Sequence, residues 1–275
     1  MIDAIMHYRI LFILFYKGEA MSSLIQNKKG EFAGYRNETQ LNRDAQFKDI
    51  AMNLIDESGE NWSMHGLSVL KRNSIARILY YDHLYRLQMD VPGVICEFGV
   101  HWGGGISTLL NLKGMLEPYN HARHIYGFDT FEGFASVDKK DGENAKTGDY
   151  ASTDRFEETL DKILDYHQSI APFPEVEKYT LVKGDVLDTV PQWMDDNPHA
   201  LISMAIFDMD IYAPTKETLL RVLDRMPKGA ILAFDELNCS FFPGETQAVQ
   251  EVLGVKNLKL KKHPLQTYCA YCEIE

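Results

Sequence analysis

The chain has little positive charge for its size. Its 275 residues include 28 lysines and arginines against 40 aspartates and glutamates, a formal net charge of -12 at neutral pH. Proteins that bind nucleic acids rely on clustered basic side chains, whose contacts with phosphates release counterions. The composition therefore argues against a nucleic-acid partner and favours a small-molecule substrate.

Cysteine is also scarce, with 4 residues in the whole chain. Cys96 falls in a predicted buried strand, while Cys269 and Cys272 fall in an extended stretch near the end. A Cys-x-x-Cys pair is found in redox and metal sites, but this chain has no second pair and no turn residues between the two members. We therefore favour buried, reduced thiols, which are typical of a cytoplasmic protein.

No apolar run is long enough to cross a bilayer. The most apolar segment, residues 8–16, contains Arg9 and is much shorter than the roughly 20 residues of a transmembrane helix. No convincing small-residue cleavage site follows it, which argues against a signal peptide. We expect no membrane partner, and instead a helix that packs on the folded domain or on a second subunit of a homodimer.

The sequence divides near residue 60. Residues 20–45 are polar and lack a sustained apolar period, which predicts a linker, so we assign residues 1–60 to an N-terminal helix and flexible arm. Apolar side chains recur at helical spacing over residues 68–89, and Pro92 and Gly93 end this predicted helix. We assign residues 61–275 to one α/β domain, which is long enough to bury a large core.

After Gly93, short apolar runs alternate with amphipathic stretches, the pattern of βαβ units in a mostly parallel sheet. The predicted strands are residues 94–100, 124–129, 179–186, 202–210 and 230–237, with a helix over 105–117. Residues 258–263 and 266–274 lie too close together for a helical crossover and predict an antiparallel hairpin. This pattern favours the Rossmann-like, seven-stranded sheet of class I S-adenosylmethionine-dependent methyltransferases, preceded by an N-terminal helical extension.

Residues 134–153 form a long connection after the second predicted strand. They are charged, contain glycine and have few large aliphatic side chains. Connections of this length are frequently lids or disordered segments. Their position beside the carboxyl end of the second strand favours a lid over the ligand crevice, and a solvated excursion is the alternative.

Ligands of open α/β sheets bind beyond the carboxyl ends of the strands, where the first strand runs into a glycine-rich turn. Glycines let a backbone approach a ligand, and a helix N-terminus offers amide donors to a carboxylate. In this turn we predict cofactor contacts by Glu97, Gly99, Val100, Gly103 and Ser107. The turn lacks G-x-G-x-x-G spacing, so a nucleotide phosphate is an alternative ligand.

Two further strand ends carry residues suited to an adenosine. Asp129 follows the second strand, where a carboxylate can accept hydrogen bonds from both ribose hydroxyls, and Thr130 lies next to it. Gly184, Asp185 and Val186 follow the third strand, where they would border an adenine ring. A dinucleotide would use Asp129 equally well, and Asp185 has the alternative role of capping the next helix.

Acidic residues end the fourth and fifth predicted strands. Asp208 and Asp210 close the fourth, and Asp235 and Glu236 close the fifth, so neighbouring parallel strands bring four carboxylates together. Such carboxylates repel one another unless a cation or protons intervene. Oxygen-only ligation favours Mg²⁺, Mn²⁺ or Ca²⁺, so we predict a divalent metal site, with helix capping as the alternative.

Four motifs resemble those of one family. Residues 97–100 (EFGV), 127–133 (GFDTFEG), 207–215 (FDMDIYAPT) and 234–236 (FDE) are similar to segments of the macrocin O-methyltransferases, which are metal-dependent sugar O-methyltransferases. The resemblance extends over about residues 60–255, in the same order. It implies transfer of a methyl group from S-adenosylmethionine to a hydroxyl of a deoxysugar, a glycosylated natural product or a glycan.

The resemblance also implies roles for individual residues. Asp208, Asp235 and Glu236 would hold the metal, and Asp208, supported by Asp210, would accept the proton of the hydroxyl. Met64 would cover the cofactor. This set of roles is what the structure has to account for.

Two positions depart from the family pattern. Glu236 stands where the family has a second aspartate, and His101-Trp102 stands where it has Trp-Arg. His101 titrates near neutrality and is an alternative base, although we favour a loop residue that packs beside the cofactor. Together with Asn238 and residues 242–246 (FPGET), these departures resemble an enediyne-sugar methyltransferase branch.

Two other functions share part of this pattern. A nucleotide-binding oxidoreductase would use the glycine turn and Asp129 but would have no use for the acidic cluster. A catalytically silent cofactor-binding protein of a biosynthetic cluster would keep the cofactor site alone. The acidic residues therefore favour the methyltransferase.

Overall fold

A computed structural model describes residues 37–275, together with the backbone of residues 23–26 and 32–36. The apolar run at residues 8–16, which we predicted to be a packed helix, lies outside the described residues. The chain forms two compact units, Met1–Lys71 and Arg72–Glu275. Within the described residues, no helix combines the length and the apolar character that a membrane crossing requires.

The described part of the first unit contains a β-hairpin and two helices. Strand β1 (Ser23–Gln26) pairs antiparallel with β2 (Phe32–Arg36), and helices α1 and α2 span Glu38–Glu57 and Trp62–His65. A capping box starts α1, because the side chains of Asn37 and Gln40 each accept from the other's backbone amide. The predicted linker over residues 20–45 is wrong for these elements. The linker was predicted because this range shows no sustained apolar period, and helix α1 indeed buries no side chain.

The second unit begins with a long helix and then alternates strands and helices. Helix α3 spans Arg72–Gln88, inside the range predicted for it. The elements that follow are β3 (Val94–Phe98), α4 (Gly104–Leu116), β4 (Ile125–Asp129), α5 (Phe156–Ser169), β5 (Tyr179–Lys183), α6 (Val186–Asp196), β6 (Ile202–Phe207), α7 (Tyr212–Val222), β7 (Ile231–Phe234), α8 (Gly244–Val252), β8 (Lys261–Lys262) and β9 (Ala270–Glu273). The predicted order of strands is confirmed, and each strand is shorter than its predicted range.

These strands form a seven-stranded sheet in the order β5-β4-β3-β6-β7-β9-β8. The first five in that order run parallel, and β9 pairs antiparallel with both β7 and β8. The strand order reverses between β3 and β6, the place where open α/β sheets bind their ligands. The predicted mostly parallel, Rossmann-like methyltransferase sheet with a terminal antiparallel hairpin is confirmed.

Side chains pack on both faces of the sheet, because successive residues of a strand point to opposite sides. On one face the rings of Phe98, Phe128, Phe207 and Phe234 lie side by side across neighbouring strands, with centroid distances of 5.0, 5.2 and 5.4 Å. The other face carries a second core, which includes Leu84 of α3. Burial on two sides explains why the parallel strands read as continuous apolar runs.

The segment 134–153 is fastened to the helices beside it. It contains one 3₁₀ turn, Lys139–Asp141, and the buried carboxylate of Asp141 accepts from the amides of Asp138 and Tyr212, both at 2.6 Å. Tyr212 is the first residue of α7, so the segment is tied to the helix that follows β6. Its role as a lid stays a prediction.

Candidate functional site

A pocket opens at the carboxyl ends of β3, β4, β5 and β6. Residues that the sequence marked for cofactor binding or catalysis line it, namely Gly99, His101, Asp129, Thr130, Gly184, Asp185, Val186, Asp208 and Asp210. The other predicted residues of the second unit do not line the pocket. Glu97, Val100, Gly103 and Ser107 lie in β3, the glycine turn and the start of α4, and Asp235 and Glu236 follow β7. Four strand ends therefore contribute to one site.

The glycine turn brings the main chain after β3 close to the end of β6. Gly99 has a φ of +95°, and a Cβ atom there would collide with the carbonyl oxygen of Asp208. Gly103, with a φ of +78°, precedes the first residue of α4. Glycine adopts such φ values at little cost, so the turn can bring the start of α4 towards the pocket.

Glu97 is a buried acid beneath this turn. It is 2% exposed and accepts hydrogen bonds from the Tyr81 hydroxyl, at 3.0 Å, and from the Ile106 amide. Burial raises the pKa of Glu97 to about 8. A Cβ on Gly105 would collide with its Oε1 atom, while its Oε2 atom has no partner among the described residues. An unpartnered buried oxygen of this kind suits an amino group of a bound cofactor.

Asp129 holds the glycine turn in place. Its Oδ2 atom accepts from the amides of Val100 and His101, both at 2.7 Å, and its Oδ1 atom accepts from the Phe131 amide at 2.6 Å. A carboxylate offers about four acceptor positions, so Asp129 keeps capacity for a ligand hydroxyl. The pocket therefore fits an adenosine-containing cofactor, with a glycine turn that approaches closely and an acid at the end of β4.

Asp185 serves the fold and lines the pocket at the same time. Its side chain accepts from the Leu187 amide at 3.0 Å, which caps the start of α6. Thr130, across the pocket, donates its hydroxyl to the Gly133 carbonyl at 2.7 Å. The capping role that the sequence left open for Asp185 is confirmed, and contact with an adenine ring stays a prediction.

The acidic cluster at the ends of β6 and β7 contains a guanidinium group that the sequence analysis missed. Arg77 of α3 donates through Nη2 to Asp208 Oδ2 at 2.7 Å and through Nη1 to Asp235 Oδ1. The Cys269 thiol also donates to Asp235 Oδ1, at 2.9 Å. Arg77 lies four residues before the buried Tyr81 and therefore on the same face of the helix. A charged residue on the apolar face of a predicted helix is the feature of the sequence that could have indicated its role.

The predicted metal ligands do not form a metal site in this arrangement. Across residues 37–275, no three His, Cys, Asp or Glu side chains are grouped to hold a metal ion. The reason at the predicted position is geometric, because Arg77 bridges Asp208 and Asp235. Neither Asp235 nor Glu236 lines the pocket. The residues therefore do not fit the expected cation, whose place between the two strand ends is taken by a guanidinium.

Burial raises the pKa values of the acids in this cluster. The pKa of Asp208 is raised well above its usual range by burial and by Asp235, against the opposing effect of Arg77. The pKa of Asp210 is raised by burial and by Glu236, and that of Glu236 rises to about 7, mainly by burial. Burial and mutual repulsion therefore favour the protonated forms of these three acids, as expected of crowded carboxylates in a poorly hydrated site.

Glu245 is a further acid of this cluster that was not predicted. This residue of α8 is fully buried, its Oε1 atom accepts from the Glu236 amide at 2.9 Å, and burial raises its pKa well above the usual range. It lies within residues 242–246 (FPGET), one of the segments that carry the family resemblance. Glu245 therefore fixes the backbone of Glu236 rather than reaching the pocket.

Aromatic side chains from the segment 134–153 form one wall of the pocket. Phe134 and Tyr150 line it, with ring centroids 5.3 Å apart, and Phe242 packs against Tyr150 at 5.8 Å. His101 also lines the pocket and lies 5.7 Å from the Tyr150 ring. The segment was identified from the sequence, but the contribution of these rings to the pocket was not. The signal available was the presence of aromatic residues in a charged stretch.

Met64, which was predicted to cover the cofactor, belongs to α2 of the first unit. The pocket belongs to the second unit. The cofactor contact of Met64 therefore stays a prediction.

Comparison with known proteins identifies relatives of the whole chain. A family model described as macrocin O-methyltransferase (TylF) matches residues 15–272. The crystal structure of CalS11, a calicheamicin methyltransferase, is 37% identical, with a TM-score of 0.79, and the match covers 84% of this chain and 92% of that one. An apo structure of CalS11, described as a TDP-rhamnose 3'-O-methyltransferase of calicheamicin biosynthesis, is 34% identical over 84% of this chain and 94% of that one, with a TM-score of 0.73.

A more distant structure shares the fold alone. The O-methyltransferase NovP is 18% identical, with a TM-score of 0.53, over 73% of this chain and 80% of that one. Among curated protein sequences, none matches.

Proposed function

This chain belongs to the macrocin O-methyltransferase family, and on that premise we propose that it transfers a methyl group from S-adenosylmethionine to a sugar hydroxyl. The observation that carries the proposal is that a single pocket is lined both by the glycine turn with Asp129 and by Asp208 and Asp210. The first group suits the cofactor, and the second suits removal of a proton. The similar CalS11 structure, described as a TDP-rhamnose methyltransferase, makes a nucleotide-linked deoxysugar the first acceptor to test.

In this proposal the glycine side of the pocket binds the cofactor. The first amides of α4 would donate to its carboxylate, Glu97 Oε2 would accept from its amino group, and Asp129 would accept from its ribose hydroxyls. Asp185 and Val186 would border the adenine ring. When bound, the cofactor supplies an activated methyl group.

Asp208 is the proposed base. A sugar hydroxyl is a poor nucleophile at neutral pH, so its proton has to leave as its oxygen forms the new bond to the methyl carbon. The bond between that carbon and the sulfur of the cofactor would break in the same step, leaving S-adenosylhomocysteine. The Oδ2 atom of Asp208 is held by Arg77, and Asp208 lines the pocket. A base has to be ionised before it can accept a proton, and Arg77 opposes the rise in the pKa of Asp208 that burial and Asp235 cause. Asp210 supports it as a neighbouring acid, and His101, which also lines the pocket, is the alternative base.

A binding and transfer experiment tests this function. We expect S-adenosylmethionine to raise the melting temperature of the protein, and NAD to leave it unchanged. With TDP-rhamnose as acceptor, mass spectrometry should detect a product that is heavier by one methylene group. Stabilisation by NAD without any effect of S-adenosylmethionine would contradict the proposal and favour an oxidoreductase.

Acceptors can be compared in the same assay. Free rhamnose, TDP-rhamnose and a rhamnosylated aglycone present the same hydroxyls with different attachments. We expect methylation of at least one of them, since the proposal requires a sugar hydroxyl. Cofactor binding without methylation of any sugar acceptor would restrict the proposal to the cofactor.

A further inference from the structure

Arg77 occupies the position between the ends of β6 and β7 at which a divalent cation was expected. We infer that Arg77 is the resident cation of the Asp208–Asp235 pair, in place of a metal ion, and that it positions Asp208 as the base. The positioning part rests on the proposed methyl transfer, whereas the cation part rests on the arrangement of the side chains alone.

The contacts of Arg77 come from separate elements of the fold. Its two terminal nitrogens donate to two different carboxylates, one at the end of β6 and one at the end of β7. Cys269, just before β9, lies 3.5 Å from Nη1 and itself donates to Asp235. The guanidinium carbon lies 5.3 Å from the centre of the Tyr81 ring. A planar group with donors in a fixed fork suits such a bridge better than a lysine would.

The charge of Arg77 removes the need for another cation at this pair. Two neighbouring carboxylates repel each other unless a positive charge or a proton lies between them, and a guanidinium stays protonated in proteins. The side chains of Arg77, Asp208 and Asp235 are 33%, 27% and 18% exposed, so the three charges lie in a partly desolvated site. A metal ion bound by both aspartates would have to expel Arg77 and leave its charge without these partners, which is unfavourable.

The bridge also fixes the orientation of the base. Arg77 holds Oδ2 of Asp208, and no hydrogen bond to its Oδ1 is present in the part of the chain that the structure describes. Asp208 lines the pocket, whereas Asp235 does not. Arg77 therefore acts through Asp208 and is a positioning residue, with Asp235 as its anchor on the neighbouring strand.

The experiment compares the full-length protein with Arg77→Gln, Arg77→Lys and the control Arg86→Gln. Arg86 lies on the same helix, but it is exposed and pairs with Asp82. Mn²⁺ binding is followed by electron paramagnetic resonance, and kcat and KM are measured with and without EDTA. Cofactor binding and melting temperature are recorded for every variant.

We expect no saturable Mn²⁺ binding below about 1 mM for the wild type and the control, since that is the weak end of carboxylate sites. EDTA should leave their turnover unchanged. Arg77→Gln should lower kcat about 100-fold with KM for the cofactor retained, the scale expected when a catalytic group is misplaced. It should also gain Mn²⁺ binding, because the aspartate pair loses its cation. Arg77→Lys should keep the charge but lose much of the turnover, since lysine lacks the two terminal nitrogens that donate to both aspartates.

Two results would overturn the inference. Saturable Mn²⁺ binding by the wild type together with loss of turnover in EDTA would assign the cation role to a metal. A wild-type kcat in Arg77→Gln would remove the positioning role. If Arg77→Gln fails to fold, the Mn²⁺ titration of the wild type and the turnover of Arg77→Lys still test the inference. Absence of cofactor binding and turnover in the wild type would instead refute the proposed function, while the Mn²⁺ titration would still report on Arg77.

Discussion

The pocket has a glycine side, formed by the ends of β3, β4 and β5, and an acidic side, formed by the end of β6 and adjoined by the acids that follow β7. On the glycine side, Asp129 is surrounded by three backbone amides and the main chain is fixed by Gly99. On the acidic side, Asp208, Asp210, Asp235 and Glu236 lie close together, and burial and mutual repulsion raise the pKa of Asp208, Asp210 and Glu236. Around Asp129 the glycine side is a hydrogen-bonded network suited to binding, and the acidic side holds crowded carboxylates with raised pKa values.

This difference implies that mutations can affect cofactor binding and methyl transfer separately. A network whose donors and acceptors are already paired changes little when a neighbouring charge is removed. A carboxylate that accepts a proton contributes in the transition state more than in the bound ground state. We therefore expect changes on the acidic side to affect turnover, and changes on the glycine side to affect folding and cofactor affinity.

The largest expected effect is that of Asp208→Asn. The amide keeps the shape of the side chain but accepts no proton, so we expect kcat to fall by about 10²–10⁴-fold. Cofactor affinity, measured by calorimetry, should change little. Asp195→Asn, at an exposed position of α6, is the control. A loss of cofactor affinity as large as the loss of turnover would break the separation between the two sides.

Gly99→Ala tests the glycine side. The added Cβ would meet the Asp208 carbonyl at a φ of +95°, so we expect a loss of more than about 3 kcal/mol in the free energy of unfolding. Cofactor affinity should fall with it. Gly114→Ala is the matched control, because this glycine lies within α4, where a Cβ would meet Ala171 at an ordinary 3.6 Å. Equal stability of the two variants in chemical denaturation would contradict the role of Gly99.

The pH dependence of stability tests the buried acid of the glycine side. Burial raises the pKa of folded Glu97 to about 8, so the native state binds its proton more tightly than the unfolded state. Its contribution is complete below the unfolded pKa and is lost as the pH rises through 8. We expect the free energy of unfolding to fall from about pH 5 to about pH 8, by up to about 1.4 kcal/mol per unit of pKa difference.

Denaturation curves at several pH values distinguish Glu97 from other acids. Glu97→Gln should flatten the decline of stability with pH, since the amide does not titrate in this range. Glu143→Gln, at an exposed position, should leave the decline as in the wild type. The same slope in all three proteins would refute the assignment to Glu97.

The smallest expected effect is at Asp185, which caps α6. Asp185→Ala removes the acceptor of the Leu187 amide and should cost about 1 kcal/mol of stability. Asp185→Asn keeps a capping oxygen and should be close to the wild type. If the asparagine variant loses as much stability as the alanine variant, the charge of Asp185 rather than its capping bond is what matters. Thermal denaturation of the three proteins gives the comparison.

Sequence patterns located most of the fold and part of the site. The alternation of apolar runs with amphipathic stretches located the five parallel strands, because strands covered on both faces are rich in apolar residues. The short connection between the last two strands located the antiparallel pair. The start of helix α1 was missed, since residues 20–45 are polar and show no sustained apolar period. Asp208 and Asp210 were found because carboxyl ends of parallel strands share one edge. The neighbouring acids Asp235 and Glu236 were found in the same way. The sequence did not indicate that they lie outside the lining of the pocket.

What the sequence determined by itself is the family, the order of the strands and the presence of a glycine turn and an acidic cluster at one edge. These follow from local composition and from motifs that stay contiguous in the chain. Only the tertiary structure decided which cation accompanies the acids. Arg77 lies 131 residues before Asp208 and 158 before Asp235, and the three meet because α3 packs on one face of the sheet. Contacts between residues so distant in sequence depend on packing, which no local pattern encodes.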